Sequence, residues 1–183
     1  MSTNEISDII IKDLLSKSFP IFLTTYQGRG MDEADVFGIN RNGYMYEFEI
    51  KQSRSDFLAE FRNKKDKHKK LQNRNAIKVY DEWKNEKRTE GTYELIRIPN
   101  RYFFVCPKDL ISIDEVPEYA GLIYIDSGYF GKLHEVKHAK LLHRNKANIL
   151  VYERVASILS QRSIFGCSYY TYRLNQQKEI NKP

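Results

Sequence analysis

The sequence predicts an α/β fold in which a mixed central β-sheet is flanked by helices. Three observations lead to this prediction. Residues 5–17 carry apolar side chains at helical spacing, and residues 33–51 show two strand patterns around an Asn42-Gly43 turn. Residues 102–106 and 121–126 are apolar runs typical of strands buried on both faces. Because Asn-Gly is a strong hairpin signal, we expect the two strands beside it to pair in antiparallel fashion.

A strand and a long basic helix complete the first half of the chain. Residues 21–26 are rich in β-forming side chains and follow Pro20, which ends the first helix. Ser53 is a suitable cap for a helix over residues 54–74. Its first turns carry the apolar anchors Phe57 and Phe61, and lysines dominate afterwards. We therefore expect this helix to begin buried and to end projecting into solvent or against DNA.

The second half of the chain has weaker signals. We predict a loop or insertion over 75–98, short helical turns over 108–119, an edge strand over 129–139, a final helix over 145–165 capped by Asn145, and an extended segment over 169–172. The length favours one domain over residues 1–174, with a polar tail over 175–183.

Composition indicates a globular protein that binds an anionic partner. Hydrophobic residues make up 41% of the chain and charged residues 30%, and no apolar run approaches the length of a membrane span. The N-terminus has no secretory signal pattern and only two cysteines occur, so we expect a cytoplasmic protein without a disulfide framework. The net charge is +6, and residues 54–78 alone hold nine basic and three acidic residues. This segment suits binding to phosphates, although a solvated helix face is the plainer alternative.

The hairpin places three polar residues where a metal-dependent site is expected. On the second strand, Glu49 and Lys51 share the face opposite the apolar residues, because side chains alternate along a strand. Pairing outward from the turn brings Asp35 toward the same end. Two carboxylates there repel each other unless a cation lies between them, and Mg²⁺ prefers such oxygen ligands. Lys51 would then orient the attacking water or stabilise charge that develops on a phosphate.

Asp35, a hairpin spacer and Glu49-Ile50-Lys51 resemble the motif of the PD-(D/E)XK nuclease superfamily, whose fold is restriction-endonuclease-like. The wider wording of residues 33–61 is similar to its MmcB-like, DNA-repair-related branch, and the resemblance covers roughly residues 5–140. Two features depart from the pattern: the proline of the motif is absent, and no acid of the first helix is clearly aligned.

The resemblance implies a Mg²⁺- or Mn²⁺-dependent nuclease that acts on DNA, in repair, recombination or phage DNA processing. It implies that Asp35 and Glu49 bind the ion, with help from the carbonyl group of Ile50, and that Lys51 is catalytic. The accessory candidates are Glu33, on the strand face of Asp35, and Gln52, next to Lys51. The residues that we expect to contact the DNA backbone are Arg54, Lys64, Lys65 and His68.

Two other classes of function remain open at this point. A DNA-binding accessory protein with the same fold and no turnover would bind DNA in a salt-dependent manner without cleaving it. An interaction protein could use the basic helix to bind an acidic protein. A homodimer is compatible with each of these alternatives.

Overall fold

A six-stranded mixed sheet with helices packed on both faces confirms the predicted α/β class. The computed structural model describes residues 1–26, 33–72, 98–126 and 131–180. The elements are α1 (Thr3–Ser16), β1 (Ile21–Tyr26), β2 (Ala34–Ile39), β3 (Met45–Ile50), α2 (Arg54–Asn63), α3 (Lys65–Gln72), β4 (Arg101–Pro107), a 3₁₀ turn (Ile113–Glu115), β5 (Ala120–Ile125), β6 (Leu133–Lys137) and α4 (Ile149–Ile180). Most of the predicted 75–98 insertion lies outside the described residues. No helix within the described ranges has both the length and the apolar character needed to cross a membrane.

The strands lie side by side in chain order, β1 to β6. Strands β1, β2 and β3 are antiparallel, β4 and β5 join them in parallel, and β6 closes the sheet in the antiparallel sense. The predicted hairpin turn is confirmed, since Gly43 adopts φ +82° and its main-chain N–H donates to the Asn40 carbonyl at 2.9 Å. The register pairs Ile39 with Met45 and Val36 with Phe48. This register carries Asp35 to the Glu49 end of β3, as the sequence predicts.

Each face of the sheet has its own core. On one face, α1 packs Ile6, Ile10 and Leu14 against Phe48 and Ile50 of β3. A capping box of Ser2 and Glu5 starts this helix. On the opposite face, Phe57 of α2 and Leu71 of α3 pack with a second set of side chains from β4 and β5, which includes Tyr102, Phe104 and Leu122. The charged face of β3 is therefore covered by α2 and α3 and does not face solvent.

The predicted long basic helix is in fact two helices separated at Lys64. Ser53 caps α2 as expected, because its Oγ accepts a hydrogen bond from the Asp56 N–H at 3.1 Å. Lys64 then leaves the helical conformation, with φ −112° and ψ 40°. Lys67, His68 and Leu71 of α3 are buried. The expectation that this segment projects away from the fold is wrong, because α3 packs on the sheet and Leu71 is buried in the core beside β4.

The C-terminal helix starts later and extends further than predicted. Two compact units are found, Met1–Ala147 and Asn148–Pro183, and the first contains the whole sheet. Asn148 begins the helix by accepting a hydrogen bond from the Val151 N–H at 3.2 Å, whereas the Asn145 carbonyl accepts one from the Asn100 side chain. The helix continues through the predicted extended segment and into the predicted tail, to Ile180. Residues 167–182 contain neither proline nor glycine, so no backbone-breaking residue ends it earlier.

Gly121 of β5 lies where the sheet leaves no room for a side chain. A Cβ atom there would lie 2.5 Å from the Phe103 ring and 2.8 Å from the Ala139 main-chain nitrogen. We expect Gly121→Ala to lower the free energy of unfolding by about 1–3 kcal/mol, because overpacking forces backbone shifts. Urea denaturation beside Gly38→Ala tests this, since Gly38 is met by side-chain carbon atoms of Phe19 and Leu14 at 3.2 and 3.3 Å. Equal losses in the two variants would contradict the expectation.

Candidate active site

A cluster of acidic and basic side chains lies between β2, β3 and the two helices that cover them. We call it the acid–lysine cluster, and it consists of Asp35, Glu47, Glu49, Lys51, Glu60, Lys64 and Lys67. The strands supply three of its acids because they end side by side. Helix α2 supplies the fourth acid, Glu60, α3 supplies Lys67, and Lys64 lies between the two helices. The cluster joins all three predicted catalytic residues with four side chains from outside that set.

Asp35 is half-buried at the start of β2. Its Oδ2 atom accepts a hydrogen bond from the Ile50 main-chain N–H at 2.7 Å. Burial raises the pKa of Asp35 above its usual value, and the negative charge of Glu49 raises it further. Ionisation of Asp35 is therefore less favourable than that of an ordinary aspartate.

Glu49 is only 2% exposed and is held by lysines. Its Oε1 atom accepts hydrogen bonds from Lys67 Nζ at 2.5 Å and from Lys64 Nζ at 3.0 Å. Its Oε2 atom lies 3.2 Å from Lys64 Nζ and 3.7 Å from Lys51 Nζ. Both oxygen atoms of this carboxylate thus contact ammonium groups.

Lys67 is 3% exposed and makes the most extensive contacts in the cluster. Besides Glu49, its Nζ atom contacts Glu47 Oε1 at 2.5 Å and donates to the Glu33 main-chain carbonyl at 2.8 Å. It also lies 5.1 Å from the centre of the Tyr102 ring. Burial alone would lower the pKa of Lys67, but the charges of Glu47 and Glu49 outweigh it and raise the pKa. Lys67 therefore stays charged inside the protein.

Lys51 is buried and pairs most closely with Glu60, an acid that the sequence analysis does not single out. Its Nζ atom lies 2.8 Å from Glu60 Oε2 and 3.9 Å from Asp56 Oδ1 at the exposed edge of the cluster. A sequence signal for Glu60 does exist. Glu60 follows Phe57 by three residues, so both lie on the helix face that packs on the sheet.

The charges of the cluster nearly balance. Within the described part of the chain, its four carboxylates face three ammonium groups, which leaves one negative charge when His68 is neutral. Among the four acids, Asp35 has a raised pKa, because burial and the charge of Glu49 disfavour its ionised form. The side of the cluster beside Asp35 is thus the place where an added cation would be most favourable.

The carboxylates of Asp35 and Glu49 are suitable ligands for a hard divalent cation, but lysine ammonium groups contact the Glu49 oxygens. Asp35 and Glu49 provide carboxylate oxygens on adjacent strands, the ligand type that Mg²⁺ prefers. No group of three or more Asp, Glu, His or Cys side chains in the described residues is placed to hold a metal ion. Release of a Glu49 oxygen by Lys64, whose side chain is 31% exposed, would open the site to an ion. Ile50, the third predicted ligand, donates its N–H to Asp35.

The accessory candidates lie at the edge of the cluster. The Glu33 side chain is exposed, and only its main-chain carbonyl reaches Lys67. Gln52 is exposed and donates from Nε2 to Thr3 Oγ1 at 2.7 Å, so it ties β3 to the start of α1. Neither side chain is brought to the carboxylates by a described contact.

The four predicted DNA contacts are placed very differently from one another. Lys65 is exposed, and Arg54 is exposed but donates to Glu115 at 2.7 Å. Lys64 belongs to the acid–lysine cluster. His68 is buried, with its ring centre 4.6 Å from that of Phe61 and its Nδ1 atom 2.5 Å from the Tyr119 hydroxyl oxygen. The predicted DNA contact of His68 is corrected, because the packing of α3 on the sheet removes its imidazole from the surface.

Comparisons with known proteins bear on the fold alone. No protein-family profile and no curated protein matches the sequence. The structure is similar to that of the SPO1766 protein of unknown function from Silicibacter pomeroyi, with a TM-score of 0.54 and 18% sequence identity. The match covers 88% of this chain and 89% of that chain. The similarity supports the mixed-sheet architecture over nearly the whole length of both proteins.

Proposed function

We propose that the protein is a Mg²⁺- or Mn²⁺-dependent nuclease that hydrolyses DNA phosphodiester bonds. The observation that carries this proposal is the meeting of Asp35 and Glu49 at the ends of adjacent strands, with Lys51 beside them. Burial and the charge of Glu49 raise the pKa of Asp35. Such perturbed acids are typical of functional sites. The motif resemblance of these three residues supports the same activity.

Each residue of the site has a distinct role in this proposal. Asp35 and Glu49 would hold the divalent ion, with the Ile50 carbonyl as a third ligand. The ion would supply a water of lowered pKa and neutralise phosphate charge. Lys51 would place its ammonium group beside the reacting phosphate and stabilise negative charge as it develops.

DNA would reach the site along the exposed basic side chains of α2 and α3. Arg62, Lys65 and Lys69 are exposed there, and they suit phosphate contacts that weaken as salt rises. The partly exposed Lys64 and the buried Lys67 contribute less to this surface, because their charges are matched by Glu47, Glu49 and Glu60. This function would place the protein in the cytoplasm, in DNA repair, recombination or phage DNA processing.

A second candidate is a DNA-binding accessory protein of the same fold without turnover. The contact of lysines with both oxygen atoms of Glu49 favours it, since those ammonium groups stand where a metal ion would bind. This protein would bind DNA with steep salt dependence and would cleave none of it. Replacement of Lys51 would then leave DNA affinity unchanged.

Cleavage assays separate the two candidates. Supercoiled, linear, single-stranded and branched DNA would be incubated with the protein in Mg²⁺, Mn²⁺ or EDTA. We expect metal-dependent cleavage, reduced at least about 100-fold by Asp35→Asn. Asp66→Asn is a matched control, because Asp66 is exposed on α3 and lies 3.8 Å from Lys69, away from the acid–lysine cluster. Binding without cleavage by the wild type would favour the accessory protein, and equal activity of Asp35→Asn and wild type would overturn the site assignment.

Asp35→Asn also has an expected effect on stability without metal. The folded-state pKa of Asp35 lies above its unfolded value, so its ionisation destabilises the fold as pH rises through the folded-state pKa. Asparagine removes this charge and keeps an acceptor for the Ile50 N–H. In EDTA at neutral pH we expect Asp35→Asn to unfold at higher urea concentration than wild type, with the difference shrinking in acid. Mg²⁺ should stabilise only the wild type, and a less stable variant in EDTA would contradict the assigned charge imbalance.

A further inference from the structure

A buried line of polar side chains runs from Lys51 into the core of the protein. Lys51 Nζ lies 2.8 Å from Glu60 Oε2, Glu60 Oε1 lies 3.5 Å from His68 Nε2, and His68 Nδ1 lies 2.5 Å from the Tyr119 hydroxyl oxygen. All four side chains are nearly inaccessible to solvent. The proposed reaction uses only the first of them.

Glu60 is held as a carboxylate by this arrangement. Burial alone would raise the pKa of Glu60, but the nearby His68 imidazole, a hydrogen bond from Lys51 and the charges of Lys51 and Lys64 lower the pKa below its usual range. A second lysine, Lys64, lies 3.3 Å from Glu60 Oε2. Glu60 therefore offers Lys51 a charged partner within the interior.

His68 and Tyr119 continue the line of polar side chains beyond Glu60. Burial raises the pKa of Tyr119, so its hydroxyl stays protonated and can donate to His68 Nδ1. His68 Nε2 then faces Glu60 Oε1 at 3.5 Å, and neither atom has a hydrogen-bond partner within the described residues. The ring of His68 is fixed in turn by Phe61 and Phe104.

The distances around Lys51 indicate that Glu60 limits the approach of Lys51 to Glu49. Lys51 Nζ lies 2.8 Å from Glu60 but 3.7 Å from Glu49, so the ammonium group is drawn to the helix and kept from close contact with the strand carboxylate. Without a charge at residue 60, Glu49 would be the nearest buried acid for Lys51 among the described residues. Lys51 would then pair with Glu49 and compete with any cation for it.

We infer that Glu60 is a positioning residue: it holds the Lys51 ammonium group closer to α2 than to Glu49, with His68 and Tyr119 lying beyond Glu60. This inference deepens the proposed nuclease function, on which the catalytic use of Lys51 rests. The placement of Lys51 by Glu60 is a separate claim that holds or fails in the absence of any reaction.

The test follows Lys51 directly by NMR in metal-free protein. A lysine ammonium group that is buried and hydrogen-bonded to a carboxylate gives a slowly exchanging ¹⁵Nζ signal, and Lys51→Arg assigns it. We expect Glu60→Gln to shift this signal strongly and Tyr119→Phe to shift it in the same direction by less. Asp66→Asn should leave it in place. An unchanged Lys51 signal in Glu60→Gln would overturn the inference, and if Glu60→Gln does not fold, an unchanged signal in Tyr119→Phe would do so.

Metal binding and kinetics complete the test. Mn²⁺ titration followed by electron paramagnetic resonance should show affinity about 10- to 100-fold lower in Glu60→Gln, because Lys51 then contacts Glu49. Cleavage should lose kcat by a similar factor with little change in KM for DNA. A raised KM with normal kcat would contradict a positioning role. An inactive wild type would refute the proposed function, whereas the Lys51 signal decides the inference independently.

Discussion

Replacement of Lys67 by Met is expected to lower the free energy of unfolding by about 3–5 kcal/mol, the usual cost of removing one partner from a buried ion pair. Lys67 Nζ contacts both Glu47 and Glu49 at 2.5 Å, and all three side chains are buried. Methionine keeps much of the aliphatic length but removes the charge that both carboxylates contact. The interior would then hold an excess of negative charge, which the low local polarity makes costly.

Urea denaturation of Lys67→Met beside Lys69→Met measures this effect. Lys69 is on the same helix with its side chain 75% exposed, and we expect its replacement to change the free energy of unfolding by less than about 0.5 kcal/mol. The double variant Lys67→Met/Glu49→Gln should recover part of the loss, because it removes one of the two buried carboxylate charges that Lys67→Met leaves without their lysine partner. Similar stability of the two single variants would show that Lys67 does not neutralise the buried acids.

Phe104→Ala is expected to cost about 3–5 kcal/mol, as for other fully buried phenylalanines. Phe104 lies in β4, is 0% exposed, and its ring centre lies 5.1 Å from that of Phe57 and 5.2 Å from that of Tyr102. It also contacts Phe61 and His68. Its removal leaves a cavity beneath both α2 and α3, the helices that carry Glu60, Lys64 and Lys67.

The matched control is Phe22→Ala on the edge strand β1. Phe22 is only partly buried against the core beneath α1, so we expect it to lose less than half as much stability in thermal or urea unfolding. Because Phe104 supports His68 from the sheet side, Phe104→Ala should also shift the Lys51 NMR signal, whereas Phe22→Ala should not. Equal stability losses would contradict the contrast between a fully buried Phe104 and a partly buried Phe22.

The arrangement of Asp35 and Glu49 is predictable from sequence because it depends on local rules. Asn42-Gly43 fixes the turn, and the alternation of side chains along β3 fixes which face carries Glu49. Pairing across the hairpin then places Asp35 by counting residues. The order of the six strands also follows from local signals, and the structure confirms it, whereas the single helix predicted after β3 is two helices.

The partners of these acids are harder to predict, because they depend on how a helix packs. Lysines are usually exposed, so a basic run predicts a solvated surface or a phosphate contact. A weak signal is present in the spacing of Phe57, Phe61, Lys64, His68 and Leu71, which alternate by four and three residues like a buried helix face. That pattern predicts burial of Lys64 and His68 only if the helix packs against an acidic surface. The position of the break at Lys64 follows from the same packing and has no proline or glycine to mark it.

All seven members of the acid–lysine cluster come from one continuous stretch, residues 35–67. Contacts over so short a separation carry a low loop-closure entropy and are typical of segments that assemble early in folding. The interior acids therefore meet their counter-charges within the same segment, without an ion from outside. In proteins whose metal site forms only with its ion, chelators cause unfolding. This chain supplies its own internal cations, so we expect it to fold without metal, and under the proposed function an ion would exchange with a lysine instead of creating the site.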